Sequence, residues 1–213
     1  MNPNNLNLYI VDDDEAVRRS LGSLLLSRLS DCSIKTFESG EAFLQNASLD
    51  GSGIAILDLR MEGMSGLDVF QALQERKSPL VVVFLSGHGD IPVAVRAMQE
   101  GAISWLEKPC SDAVLLATIQ KAKELAASVA KMRRNRQVGV ARWVKLTPRE
   151  RQVAPLVATG KSSKEIARIL SSQTDEVEHR TVETHRAKIF AKLEVANSNE
   201  LLIFLRDHAL AES

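Results

Sequence analysis

Cysteine is scarce in this 213-residue chain: Cys32 and Cys110 are its only two. Two thiols are too few for a disulfide framework. They read most simply as reduced thiols of a cytoplasmic protein. Neither has a basic neighbour to favour a thiolate, so a redox switch is the weaker reading. Long apolar runs are absent as well. None approaches the roughly 20 residues that a membrane helix needs. The opening MNPNNLNLYI lacks the basic-then-apolar pattern of a signal peptide. No membrane partner is expected. An excess of one charge sign is also missing, with 27 Lys and Arg against 27 Asp and Glu. The total therefore argues neither for nor against nucleic acid.

The balance hides a split. Residues 1–126 carry 11 Lys and Arg against 17 Asp and Glu, net −6, while residues 127–213 carry 16 against 10, net +6. Six of the later cations fall between Lys131 and Lys145, and the stretch 146–213 is balanced at 10 and 10. Such asymmetry suggests two units with different partners. The expected division is a first domain at 1–126, a basic helical linker at 127–145 and a second domain at 146–213.

The first part alternates apolar runs with amphipathic stretches. LNLYIV (6–11), SIKTF (33–37), IAILDL (54–59), PLVVVFLS (79–86) and ISWLEK (103–108) read as strands. Between them lie helical patterns at 16–29, 41–45, 67–73 and 92–100, and a fifth opens near Ser111. Five strand–helix units with continuous apolar strands predict an α/β fold, a doubly wound five-stranded parallel sheet covered on both faces. The fifth helix meets no Pro and no Gly before Gly139, so it is expected to run on into the linker.

The second part is helical by pattern. Thr147-Pro148-Arg149-Glu150 is a capping box with Pro in the first turn, and that helix stops at Gly160. Further helices are expected at about 163–170, at 181–193 and from Asn197 or Ser198. Short helices before an apolar-and-basic third one form the pattern of a helix-turn-helix.

Asp12, Asp13 and Asp14 follow the first strand, and Asp58 ends near the third. Ligands of open parallel sheets bind beyond the carboxyl ends of the strands, so Asp12, Asp13 and Asp58 share one edge. Crowded carboxylates must take up protons or hold a cation, and hard oxygen donors favour Mg²⁺. Ser86, ending the fourth strand, supplies a hydroxyl, and Lys108, ending the fifth, an ammonium. These parts suit phosphoryl transfer onto Asp58 as nucleophile. Taken singly, an Asp run is often a helix cap and a Lys before Pro a solvated loop charge. Four such groups at the ends of four strands weigh toward the functional reading.

The stretches IVDDDEAVRRSL, ILDLRMEGMSGLDV, FLSGHGDIPVAVRAMQEGA and WLEKP resemble the receiver domains of two-component response regulators, above all the FixJ-like group. The resemblance spans about residues 6–125. It implies Asp58 as phosphoacceptor for a cognate histidine kinase. It implies Asp13, Asp58 and the backbone carbonyl of Arg60 as metal ligands, with Asp12 acting through water. Ser86 and Lys108 would grip the phosphoryl group, Trp105 would be the switch aromatic, and phosphorylated receivers would pair through the face of the fourth helix and fifth strand. Two departures stand out. Glu62 replaces a usual Pro and adds a negative charge at the pocket mouth, and Trp105 is bulkier than the usual Phe or Tyr. The bland alternative for Trp105 is a half-buried strand residue.

LTPRERQVAPLVATGKSSKEIARIL and RTVETHRAKIFAKLEVANSNELL resemble the LuxR-type helix-turn-helix over about 145–208. The recognition helix would be 181–193, with Val182, Ile189 and Leu193 inward. Thr184, Arg186 and Ala187 are expected at bases, and Lys164, Lys188 and Lys192 at phosphates. For His185 a packing role is preferred. The turn SSQTDEVEH (171–179) is longer than usual and adds Asp175, Glu176 and Glu178 beside the recognition helix. Val177 takes the place of the usual apolar turn residue, and Glu178 is a weak cap where Ser is usual. The implied function is a phosphorylation-activated transcriptional regulator that binds double-stranded promoter DNA, as a dimer, and is not an enzyme beyond Mg²⁺-dependent chemistry at Asp58. RNA polymerase is a further candidate partner. The alternative is a phosphorylation-dependent protein-binding module with weakened DNA binding. A phosphatase of the haloacid dehalogenase type is disfavoured: it needs a second Asp two residues on, and Leu59 and Arg60 follow Asp58.

Overall fold

The computed structural model describes residues 6–87, 91–171 and 178–208. Contacts divide it into two compact units, Met1–Lys131 and Met132–Ser213.

In the first unit five strands, β1 (Leu6–Val11), β2 (Cys32–Phe37), β3 (Gly53–Asp58), β4 (Leu80–Ser86) and β5 (Ser104–Glu107), form one parallel sheet in the order β2-β1-β3-β4-β5. Intervening helices are α1 (Glu15–Arg28), α2 (Gly40–Asn46), α3 (Gly66–Glu75) and α4 (Ile91–Gln99), and α5 (Asp112–Val144) follows. Every residue of β3 and β4 is buried, as a sheet covered on both faces requires.

Strand alternation sorts the core into two layers. Leu8 and Ile10 pack with Leu21 and Leu25 of α1 and Leu115 and Ile119 of α5. Tyr9 and Val11 point the other way, to Phe43 of α2, Val69 and Phe70 of α3 and Ala97 of α4. Each fully buried large apolar side chain contributes about 1.5–3 kcal/mol relative to exposure. The order reverses between β1 and β3, and that switch point puts the ends of β1 and β3 side by side.

Helix α5 runs 33 residues, straight through Gly139 and across the division between the units. The second unit adds α6 (Pro148–Ala158), α7 (Ser163–Ser171), α8 (His179–Leu193) and α9 (Ser198–Asp207). Thr147 and Glu150 make the reciprocal capping bonds read from the sequence. Val153, Ile166, Val182, Ile189, Leu193 and Leu201 are fully buried in its core, joined by Trp143 and Leu146. Helix α8 begins two residues ahead of the expected Thr181. Glu178 is its cap and makes no side-chain capping bond. Asp175, Glu176 and Val177 of the long turn lie outside the described residues.

Candidate functional site

The ends of β1, β3, β4 and β5 converge on one acidic cluster. Carboxylate oxygens of Asp12, Asp13 and Asp58 lie within 4.8 Å of one another. Asp12 and Asp58 are buried and Asp13 is exposed, so the cluster opens to solvent on one side. Lys108 reaches in from the end of β5, with its Nζ 2.6 Å from Oδ2 of Asp12 and 2.8 Å from Oδ1 of Asp58. Its backbone N–H donates to the carbonyl of Ser86 at 2.7 Å, which ties the ends of β4 and β5 together. The Ser86 side chain is buried at the same edge.

The backbone holds these groups in place. The N–H of Arg60 donates to Oδ2 of Asp58, and that of Glu62 to Oδ2 of Asp13. The N–H of Asp14 donates to Oδ1 of Asp12. Burial pushes the Asp58 carboxyl above its ordinary value, against the opposing pull of Lys108. Burial also works against the Lys108 ammonium, but its hydrogen bonds to Asp12 and Asp58 outweigh this and raise it overall. The site is thus a strained charge balance of three carboxylates and one ammonium. Oxygen-only donors of this kind fit a divalent cation.

Trp105 on β5 is half-buried. Its ring packs on Phe84 at 5.4 Å between centroids, and Phe84 packs edge-on against Phe70. Glu62 is exposed beside Asp13.

Two residues of this region carry no signal in the sequence. Arg18 of α1 donates to the backbone carbonyl of Asp12 at 2.7 Å. Glu41 of α2 accepts the N–H of Met64 at 2.9 Å, and so holds the loop that follows Asp58. Each depends on a tertiary approach that no local pattern announces, although Arg18 does lie within the stretch IVDDDEAVRRSL.

In the second unit, α8 exposes Thr184, Ala187 and Lys188, and Lys164 is exposed on α7. The Thr184 hydroxyl donates to the carbonyl of Arg180. Two of the cations expected at DNA, both part-exposed, also have partners within the unit. The guanidinium of Arg186 donates to the carbonyl of Lys161 at 2.9 Å and to Oγ of Ser198 at 3.2 Å, and lies over the Phe190 ring. Lys192 pairs with the buried Glu150 at 2.6 Å. These two bind α8 to its neighbours. The half-buried ring of His185 has Nδ1 enclosed without a partner among the described residues, and burial lowers its basicity. That environment suits packing.

Comparison with known proteins fits both units. The family model described as response regulator receiver domain matches residues 8–120, and that described as bacterial regulatory proteins, luxR family, matches 144–205. The chain belongs to the two-component response regulators. Among its curated relatives is the tetrathionate response regulatory protein TtrR of Salmonella typhimurium, 39% identical over 92% of this chain and 89% of that protein. The transcriptional regulatory protein FixJ of Bradyrhizobium diazoefficiens is 36% identical over 92% of each. Among solved structures, the response regulator StyR superposes with a TM-score of 0.80 at 34% identity, covering 95% of this chain and 98% of that one. Full-length FixJ from B. japonicum gives 0.55 at 34% identity, over 96% and 97%. A receiver joined to a LuxR-type DNA-binding domain makes this response regulator a transcription factor rather than a conventional enzyme. Among the described residues no helix is long and apolar enough to cross a membrane.

Proposed function

We propose that this response regulator accepts a phosphoryl group on Asp58 from a histidine kinase in the cytoplasm, and binds promoter DNA in consequence. The observation that carries the reading is the Lys108 ammonium set between Asp12 and Asp58. Lys108 contacts both carboxylates, and Asp58 is the one that ends the central strand β3, where one of its oxygens would attack. That oxygen forms the new bond to phosphorus as the bond from phosphorus to the kinase's histidine nitrogen breaks.

Asp13, Asp58 and the carbonyl of Arg60 are the residues that would hold Mg²⁺, with Asp12 acting through water. When bound, the cation supplies charge that offsets the phosphoryl oxygens. Lys108 and Ser86 then hold those oxygens and draw the ends of β4 and β5 inward, carrying Trp105 with them. That movement reshapes α4, and the α4–β5 face pairs two copies. The receiver extends to about residue 126 and the linker over 127–145, leaving 146–213 as the DNA-binding domain. Thr184 and Ala187 read bases while Lys164 and Lys188 meet phosphates. Arg186 and Lys192 hold the recognition helix at its angle.

Intact-mass spectrometry tests the first step. Incubation with acetyl phosphate and Mg²⁺ should add one phosphoryl group to the wild type and none to Asp58→Asn. No added mass on the wild type, from acetyl phosphate or from a phosphorylated histidine kinase, would sink the reading. A second reading, a phosphorylation-dependent protein-binding module, draws on the internal engagement of Arg186 and Lys192. Salt-dependent binding of phosphorylated protein to promoter fragments decides between the two.

A further inference from the structure

The net positive charge of the second unit equals that of the last turns of α5 and the residue that follows them. Residues 132–213 carry 15 Lys and Arg against 10 Asp and Glu, net +5. Arg133, Arg134, Arg136, Arg142 and Lys145 account for the whole excess, since residues 146–213 balance at 10 and 10. No Asp or Glu occurs from Leu125 to Arg149. Helices α6–α9 carry 9 Lys and Arg against 5 Asp and Glu, and five acids in the segments between and after them, set against Lys161 alone, cancel that excess. Part-exposed Arg186 and Lys192 already have partners within the unit.

The basic turns of α5 are part of this unit rather than a loose strand beside it. Trp143 is buried in the unit's core, as is Leu146 just beyond the helix. Arg142 donates to the carbonyl of Leu193, at the end of the recognition helix, and pairs with Glu194. Gly139 passes so close to His208 that a Cβ there would lie 2.3 Å from the imidazole. With that seam facing inward, the exposed cations fall on its two flanks. At about 100° per residue, Arg133 and Arg136 share one flank, and Arg134 and Lys145 the other.

We infer that these turns of α5 form a second nucleic-acid surface, making sequence-independent contacts to DNA phosphates beside the recognition helix. The inference rests on the DNA-binding reading above and adds to it a further source of affinity. Bases are read by α8, and the turns of α5 add their own phosphate contacts to those of Lys164 and Lys188.

Salt dependence tests this directly. Full-length phosphorylated protein is titrated onto a duplex of arbitrary sequence between about 50 and 200 mM KCl, the range over which phosphate neutralisation dominates. Two double variants are compared with the wild type: Arg133→Gln with Arg136→Gln, and Arg134→Gln with Lys145→Gln. The control is Arg19→Gln with Arg28→Gln on the receiver, an equal loss of charge. All of these side chains are exposed, and thermal melting checks that each variant is folded. At least one α5 pair should flatten the slope of log K against log salt by about 0.9 for each phosphate that is no longer neutralised. Binding to every sequence should weaken alike. Slopes equal to the wild type in both α5 pairs, or an equal change in the control, would overturn the inference and leave the DNA-binding reading intact. No salt-dependent binding by the wild type would overturn the DNA-binding reading and the inference with it.

Discussion

Lys108 lies 2.8 Å from the Asp58 carboxylate, joining residues 50 positions apart in the chain. The same ammonium bonds Asp12, so it already occupies part of the role a cation plays at the cluster. Replacing Lys108 with Ala removes that competitor and leaves three carboxylates uncompensated. Mg²⁺ should bind about three- to tenfold more tightly, worth roughly 1 kcal/mol. Phosphoryl uptake should nevertheless slow at least about tenfold, because the ammonium proposed to hold the phosphoryl oxygens is gone. Calorimetric titration with Mg²⁺ and timed mass spectrometry measure the two effects. Weaker Mg²⁺ binding in the variant would contradict this account. Chelation of the metal should abolish uptake in the wild type.

Asp58 carries a cost of its own. Its folded pKa is raised, chiefly by burial. A raised carboxylate makes the fold less stable as pH rises from the ordinary Asp range through the folded value, and the penalty persists above it. Asp58→Asn should therefore stabilise the metal-free receiver at neutral pH. Lys108 keeps Asp12 as its partner, and a gain of about 1 kcal/mol is the scale of a single stabilising substitution. The advantage should vanish below about pH 4, where Asp58 is protonated in folded and unfolded chains alike. Thermal melting of both proteins across that range checks it, and an advantage unchanged at low pH would contradict it.

The edge cluster was legible in the sequence because its members announce themselves locally. Each follows an apolar strand, and parallel topology alone carries all of them to one edge. The strands and α5 were legible for the same reason, as runs and periods within a few residues. The fates of Arg186 and Lys192 were not. Their helical spacing places them among the polar faces of α8, but whether such a cation meets solvent or a buried acid depends on what α6 brings opposite. Glu150 lies 42 residues from Lys192, and capping chemistry disclosed its first role but not its second. Glu41 was hidden likewise, since its partner is a backbone amide 23 residues away.

Glu41 gives a sharp test because its bond is to backbone. Glu41→Ala removes the acceptor for Met64 and loosens the loop carrying the Arg60 carbonyl and the Glu62 amide. Glu41→Gln keeps an acceptor oxygen. The Ala variant should weaken Mg²⁺ binding by about threefold to tenfold, in line with loss of one outer hydrogen bond at a metal site. The Gln variant should stay near the wild type. Equal affinity in all three proteins would show that the loop needs no such support.

Gly66 opens α3 directly beneath Asp58. A Cβ at this position would lie 2.1 Å from the backbone carbonyl oxygen of Asp58. Backbone cannot rotate aside as a side chain can, so Gly66→Ala must displace Asp58 or the start of α3. The receiver should lose about 2–4 kcal/mol, in the range of severe overpacking. Denaturant unfolding followed by Trp105 fluorescence measures it, and phosphoryl uptake should fall in the fraction that remains folded. A loss under about 0.5 kcal/mol, the size of an ordinary surface change, would contradict the close approach.

Glu150 ties α8 to α6, and its ion pair with Lys192 holds only while it is ionised. Burial pushes its carboxyl up, but the bonds from Lys192 and the Thr147 N–H prevail and hold it below the usual Glu range. A lowered carboxylate stabilises the fold above its unfolded pKa, and the contribution is lost as pH falls through the folded value. Glu150→Gln keeps an oxygen for the Thr147 amide but loses the charge, and should cost about 1 kcal/mol at neutral pH. Glu150→Ala loses both and leaves the Thr147 amide and the Lys192 ammonium without their partner, for about 2–3 kcal/mol. Amide exchange in α6 and α8 of the full-length protein reads this locally. The gap between wild type and Gln variant should close in acid, as the wild-type carboxylate takes up its proton. A gap that stays constant down to about pH 3, well below the ordinary Glu range, would mean that the capping oxygen rather than the charge holds the helix. DNA affinity should follow the same order if α8 is the reading helix proposed above, since this carboxylate holds α8 through Lys192.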